Sequence, residues 1–158
     1  MDELVIRPLT LEDYPIYDHW EQQLHRLHVQ ARPDLFQDLD HPVPREQFRK
    51  ELEDSHEIRL MAEWKGQPAG LCSFSLREAP ASPLLRDQKS AYVVDLFVDP
   101  VFRHKGIAKA LLAEGTRLSR EFGAQFLSLT VWPFNESAMG LYQALGFRVQ
   151  RCLLERPL

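Results

Sequence analysis

Between Val93 and Leu112 the chain reads VVDLFVDPVFRHKGIAKALL, an apolar run that passes through an Arg/Lys/Gly turn into a helical pattern. These residue types suit the capture of a phosphate by main chain. The first amides of a helix have no carbonyl partners and point outward with the positive end of the helix dipole. An anion completes them. Gly106 has no Cβ, so a bulky anion can approach the backbone there, and Arg103 and Lys105 add charge-assisted hydrogen bonds. Ala108 keeps the next approach nearly as open. The spacing from Arg103 to Ala108, RxxGxA, is neither the dinucleotide fingerprint GxGxxG nor the GxxxxGK[ST] loop. Taken alone it also reads as a basic, solvated loop that caps a helix.

Further candidates lie elsewhere in the chain. His25 and His28 stand one turn apart on a helical stretch near Arg32, Asp34 and Phe36, where they could recognise or deprotonate a substrate. Paired histidines also bind metals, but no third ligand is supplied locally, and a solvated helix face is the plain alternative. Tyr142 follows Asn135 by seven residues in another helical stretch and could equally pack beneath a final strand.

The elements that must position these groups follow from periodicity. Leu4 to Arg7 reads as a short strand. Thr10 with Asp13 forms a candidate capping box, or Asp13 is itself the cap and Pro15 falls in the first turn, where its missing donor costs little. Ile16, Trp20, Leu24 and Leu27 make a helical stripe. Pro33, Pro42 and Pro44 interrupt the next stretch, and a second short helix carries Phe48 and Leu52 on one face. The alternation Ile58, Leu60, Ala62, Trp64 predicts a half-buried strand, turned by Lys65, Gly66 and Gln67 into a hairpin partner ending near Leu76. Glu78 to Lys89 reads as a loop and Ala91 to Val98 as the strand before the phosphate turn. Ile107, Leu111, Leu118 and Phe122 form a helix stripe around Gly115, whose small size would allow close packing on a sheet, and Gly123 stands where a left-handed cap is expected. Phe126 to Trp132 is a further strand, stopped by Pro133. Asn135 opens a helix with Ala138, Leu141, Tyr142 and Leu145 inward, Gly146 ends it, and a last strand is expected around Phe147 to Leu154.

Composition bounds the reading. A chain of 158 residues, 44% hydrophobic, is long enough for one core and too short for two ordinary domains, so a single domain over residues 1–158 is expected. Its 19 basic against 23 acidic residues, net charge −4, argue against general nucleic-acid affinity. No apolar run is long enough for a bilayer, and MDELVIRPL lacks a basic start and an uncharged signal core. A cytosolic protein without membrane attachment is expected. Cys72 and Cys152 both fall in strand-like runs, which predicts buried reduced thiols rather than a disulfide or a metal site.

The segment from Val93 to Leu112 resembles motif A of the GCN5-related N-acetyltransferases (GNAT), whose pattern is [QR]xxGx[GA] after an apolar strand. TVWPFNESAMGLYQALGF, Thr130 to Phe147, is similar to a second signature of that family, and LVIRP with TLEDY resembles its opening. The resemblance implies an α/β fold with a central mixed, twisted sheet flanked by helices and splayed between its fourth and fifth strands. It implies acetyl-CoA as co-substrate and no metal. The pantetheine arm would lie between Ala91–Val98 and Phe126–Trp132, held by backbone of Leu96, Phe97 and Val98 as in strand augmentation. The pyrophosphate would rest on Arg103, His104, Lys105, Gly106, Ile107, Ala108 and Lys109. Asn135 would touch the pantetheine, a role compatible with capping a helix.

Direct attack of an amine on the thioester needs a neutral amine, an oxyanion donor and a leaving-group acid. The family match implies Tyr142 as the acid, by hydrogen bonding with partial transfer, and the Val98 amide as the oxyanion donor. The base is the weak point. Polyamine-acetylating relatives have a Glu where this chain has Val94, and strict alternation turns Asp95 away from the face of Val94 and Val98. Tyr92 shares that face and could orient a water, and His25 and His28 fall where similar enzymes receive the acceptor. The expected function is acetyl transfer from acetyl-CoA to a primary amine of a small molecule or peptide, with a homodimer in keeping with the family's habit. The rivals are a non-catalytic acyl-CoA-binding or sensor module of the same fold and a metal-dependent hydrolase using His25 and His28.

Overall fold

The computed structural model describes residues 3–158, so Met1 and Asp2 of the stretch read for a signal sequence lie outside it. Strand β1 (Leu4–Pro8) leads through a short turn to α1 (Tyr14–Ala31) and α2 (Arg45–Glu53). Next come β2 (Glu57–Trp64), β3 (Gln67–Ala79), β4 (Gln88–Val98), α3 (Ile107–Phe122), β5 (Phe126–Ser128) and α4 (Glu136–Ala144). The five strands lie side by side in chain order. The first four pair antiparallel, whereas β4 and β5 are parallel because α3 crosses over between them. No helix among the described residues is long and apolar enough to cross a membrane.

Local chemistry explains the elements. Both readings of the start of α1 are realised together: Thr10 and Asp13 close a capping box over a 3-10 turn, and α1 then runs from Tyr14 with Pro15 in its first turn. The Asp13 carboxylate also takes two hydrogen bonds from Arg7 at 2.9 Å, tying β1 to the helix. The hairpin between β2 and β3 turns on Lys65 and Gly66, φ +49° and +78°, the left-handed pair that a two-residue turn requires.

The sheet has a core on each face. Leu60, Ala62, Cys72, Phe74 and Val93 pack with Ile107 and Leu111 of α3 on one side. Met61, Leu71 and Phe97 pack on the other with Tyr17 and Trp20 of α1 and Phe48 of α2. Strand β2 is therefore covered on both faces, not half-buried as its alternation suggested, because Met61 at an intervening position is also apolar and buried. Gly115 lets α3 sit directly on Phe74: a Cβ there would stand 2.0 Å from the ring.

Several boundaries differ from the sequence-based expectations. Strand β4 begins at Gln88 and β3 runs to Ala79, so the expected loop shrinks to residues 80–87. Strand β5 ends at Ser128 instead of Trp132, since its ladder with β4 stops at Tyr92–Ser128 and no other strand among the described residues pairs with it. No strand forms over Phe147 to Leu154. The alternation of Phe147 to Gln150 breaks at Arg151 and at the run Cys152 to Leu154, and Leu153 and Leu154 are exposed. Cys152 is consequently exposed, while Cys72 is buried and both thiols are free.

The irregularity that bears on the site lies in β4. The β3–β4 register pairs Ser73 with Asp95 but Phe74 with Val93, leaving Val94 as the extra residue of a β-bulge. The bulge resets the alternation. Asp95 and Tyr92 now share the face of the sheet that carries α1 and α2, as their partners Ser73 and Ser75 do, and Val94 is left exposed.

Candidate functional site

The phosphate turn is assembled by backbone. After β4, Asp99 accepts a hydrogen bond from the Val101 amide (3.0 Å) and another from the Trp20 indole (3.3 Å), which anchors the turn to α1. His104 and Gly106 are left-handed, φ +63° and +77°, and steer the chain into α3. The Ala110 amide donates to the Gly106 carbonyl at 3.0 Å, and no side chain caps the amides ahead of it. Those of Ile107, Ala108 and Lys109 thus face outward without intrahelical partners. A Cβ on Gly106 would meet nothing within 4 Å, so the glycine is demanded by its φ and the space above it is open. Arg103, Lys105 and Lys109 flank this opening and form no ion pair among the described residues. Arg103 Nε donates to the Val98 carbonyl (3.3 Å), and Lys105 Nζ stands 5.1 Å from the Trp64 ring centre.

Beyond Tyr92 the parallel pair opens. The Asp99 amide donates to the Ala69 carbonyl on β3, so by strand alternation the main-chain groups of Val98 and Leu96 turn toward the gap and those of Phe97 turn to β3. The Phe97 side chain belongs to the core. On the far side, Asn135 caps α4 by accepting from the Ala138 amide (3.2 Å). Tyr142 lies on α4, half-buried, its ring 5.6 Å from Phe147. Burial pushes its phenol up to about 12, and the neighbouring Cys72, Asp95 and Tyr92 add to the shift. It is therefore a persistent hydrogen-bond donor.

The residues that the sequence did not single out lie under the bulge. Arg59 is buried and donates to Ser73 Oγ (3.2 Å) and Tyr17 OH (3.4 Å). Its Nη2 lies 2.7 Å from Glu51 Oε2, a close ion pair too bent for a good hydrogen bond, and 3.4 Å from Glu57 Oε2. Glu21 of α1 is 7% exposed, and its Oε1 has no partner. Burial, and then the charge of Asp95, push Glu21 up to about 9. Asp95 is raised to about 6 by burial, against the opposing pull of Arg59. One guanidinium thus serves several carboxyls, and burial together with their mutual charge leaves both Glu21 and Asp95 more basic than ordinary carboxylic acids. No local motif marks this cluster, because its members are separated by tens of residues. Only the buried polar positions within apolar stripes hinted at it.

His28 Nδ1 donates to the Leu24 carbonyl (2.9 Å) and His25 Nε2 to the Gln37 carbonyl (2.5 Å); a carbonyl only accepts, so these nitrogens carry the protons. His28 remains within electrostatic reach of Asp95, whereas His25 is committed to the α1–α2 connection. Around His28 the rings of Phe36, Trp132 and Phe134 form a wall: Phe36 lies 5.4 Å from His28 and 6.1 Å from Trp132, which stacks on Phe134. Arg32 lies over Trp132 and pairs with Asp34 and Glu155.

Comparison with known proteins agrees with this geometry. A model of the acetyltransferase (GNAT) family matches residues 17–147. The chain is 34% identical over 74 residues to the uncharacterized N-acetyltransferase YdgE of Bacillus subtilis, covering 47% of each chain. It is 30% identical over 81 residues to the thialysine N-epsilon-acetyltransferase of Bos taurus, covering 51% of this chain and 48% of that one. These matches span about half the length of either relative. Among solved structures, a tetramutant of the BH1408 protein from Bacillus halodurans superposes with TM-score 0.92 at 26% identity, over 98% of this chain and 99% of that one. An aminoglycoside N-acetyltransferase, AAC(6')-Iy in complex with CoA, shares the fold at TM-score 0.72 and 21% identity, covering 98% and 99%.

Proposed function

The chain belongs to the GNAT family of acetyltransferases, and from that premise we propose that it moves an acetyl group from acetyl-CoA to a primary amine of a small molecule or peptide by direct attack. The observation that carries this reading is the uncapped, cation-flanked start of α3 beside a parallel strand pair that opens after Tyr92. That arrangement fits a diphosphate on the amides of Ile107 to Lys109, with Arg103, His104 and Lys105 around it, and an extended amide chain along Leu96 and Val98. Acetyl-CoA supplies the activated acyl carbon, and the protein's residues supply the rest.

An alkylammonium of pKa about 10.4 must lose its proton, at a cost of about 4.6 kcal/mol at pH 7. Asp95 is the base in this reading. Burial raises it to about 6, which leaves it more basic than an ordinary aspartate and still ionised at neutral pH, and it is less deeply buried than Glu21. The surrounding excess of carboxyls over Arg59 also favours a cationic acceptor. The Val98 amide, directed into the gap, binds the developing oxyanion in this reading. The Tyr142 phenol, held near 12, lies far enough above a thiol's usual 8.5 that complete transfer would cost about 5 kcal/mol. It therefore acts by donating a hydrogen bond to the departing sulfur.

Thiol release from acetyl-CoA across a panel of primary amines tests the proposal. Amine-dependent release with matching acetylated product is expected. CoA binding without release for any amine would establish the non-catalytic module instead, and loss of activity to chelators would support the metal-dependent hydrolase.

A further inference from the structure

Of the cations near the proposed acceptor site, one has no task in the reading above. Arg77 lies near the end of β3 on the same face as Ser73 and Ser75, so the register carries a polar stripe along the sheet: Ser73 with Asp95, Ser75 with Tyr92, Arg77 with Ser90. The Arg77 guanidinium lies 4.2 Å from the centre of the Tyr92 ring, which holds it back along the stripe toward Asp95. It is exposed and forms no ion pair among the described residues. The adjacent pair shows the contrast: Lys89, on the opposite face, is neutralised by Glu78 at 3.3 Å and rests over Phe122.

We infer that Arg77 binds a carboxylate of the acceptor, so that the acceptor is an amino acid with its reacting amine at the far end of its side chain. The inference rests on the proposed acetyl transfer at Asp95. The stripe is negative at one end and positive at the other. Asp95 and Tyr92 lie opposite Ser73 and Ser75, two residues apart on β3 because the bulge takes up Val94, so the two positions stand about 7 Å apart along the stripe at 3.3 Å per residue. A lysine-like side chain, with five single bonds between Cα and its carbon-linked nitrogen, spans about 7 Å from ammonium to carboxylate. A planar guanidinium fixed on a ring offers the paired donors that a carboxylate accepts. A polyamine would place its second cation against Arg77, where like charges repel.

Steady-state kinetics with acetyl-CoA test this on two matched pairs: lysine against cadaverine, and 6-aminohexanoate against hexylamine, each pair differing by the carboxylate. The wild-type protein is expected to favour the carboxylate-bearing member at least tenfold in kcat/KM. Arg77→Gln should reduce that ratio to near one, through KM and not kcat. A merely structural Arg77, packing on Tyr92, would change both members of a pair alike and leave the ratio where it was. Equal use of both members by the wild type, or a ratio unmoved by Arg77→Gln, overturns the assignment while leaving the transferase reading intact. Absence of turnover with every amine overturns both.

Discussion

Replacing Glu21 by Gln should make the protein less sensitive to alkaline pH. The folded state raises this carboxyl from 4.5 to about 9. Between those values the native protein holds a proton that the unfolded chain has released, so stability is greatest at low pH and declines as pH rises through the window. The limiting slope is about 1.4 kcal/mol per pH unit, or about 4 kcal/mol between pH 5 and pH 8. The charges of Glu21 and Asp95 act on each other, so part of the titration is shared between the two carboxyls and we take half, about 2 kcal/mol. Glutamine keeps the shape and neutrality of the protonated acid and removes the titration. Asp95, raised to about 6, adds the same downward trend between its unfolded value and 6 in both proteins, so it largely cancels in the difference. Urea unfolding from pH 5 to pH 8 should find Glu21→Gln gaining about 2 kcal/mol on the wild type across that range. Parallel stability profiles would refute the reasoning, because they would mean that Glu21 is ionised at neutral pH despite its burial.

Asp95→Asn should lower kcat/KM by a factor on the order of 100 to 10,000 while acetyl-CoA still binds, and should abolish the wild-type rise in kcat/KM through about pH 6. A profile retaining that rise would remove Asp95 as the base. Tyr142→Phe should reduce kcat on the order of 100-fold with the CoA dissociation constant nearly unmoved, measured by turnover and by calorimetry. Gly115→Ala should lower the melting temperature by the equivalent of about 1–3 kcal/mol, since the new methyl enters the space of the Phe74 ring.

The parts of this molecule that depend on neighbouring residues were legible in its sequence. The turn from Arg103 to Ala108, the Asn135 cap, the left-handed Gly123 and the close approach at Gly115 each follow from a few adjacent side chains, and the structure has them. What depends on distant pairing was hidden. Strict alternation placed Asp95 on the wrong face because a bulge at Val94 belongs to the register between two strands, not to either strand's composition. Glu21, Arg59 and Asp95 meet only through packing of α1 on the sheet, so no spacing could reveal them. The last strand failed for a related reason: apolar residues at Val149, Leu153 and Leu154 suggest a strand only if an adjacent edge accepts them, and β5 ends at Ser128.

Binding of the co-substrate rests on the backbone cradle at the start of α3. Titration calorimetry of the folded protein with coenzyme A, alongside Gly106→Val, tests it most directly. The wild type should bind with measurable heat, and the variant, forcing a β-branched residue into φ near +77°, should bind about 5- to 30-fold more weakly, as a left-handed penalty of about 1–2 kcal/mol implies. No heat with the wild type, or equal affinity in the two proteins, would contradict it.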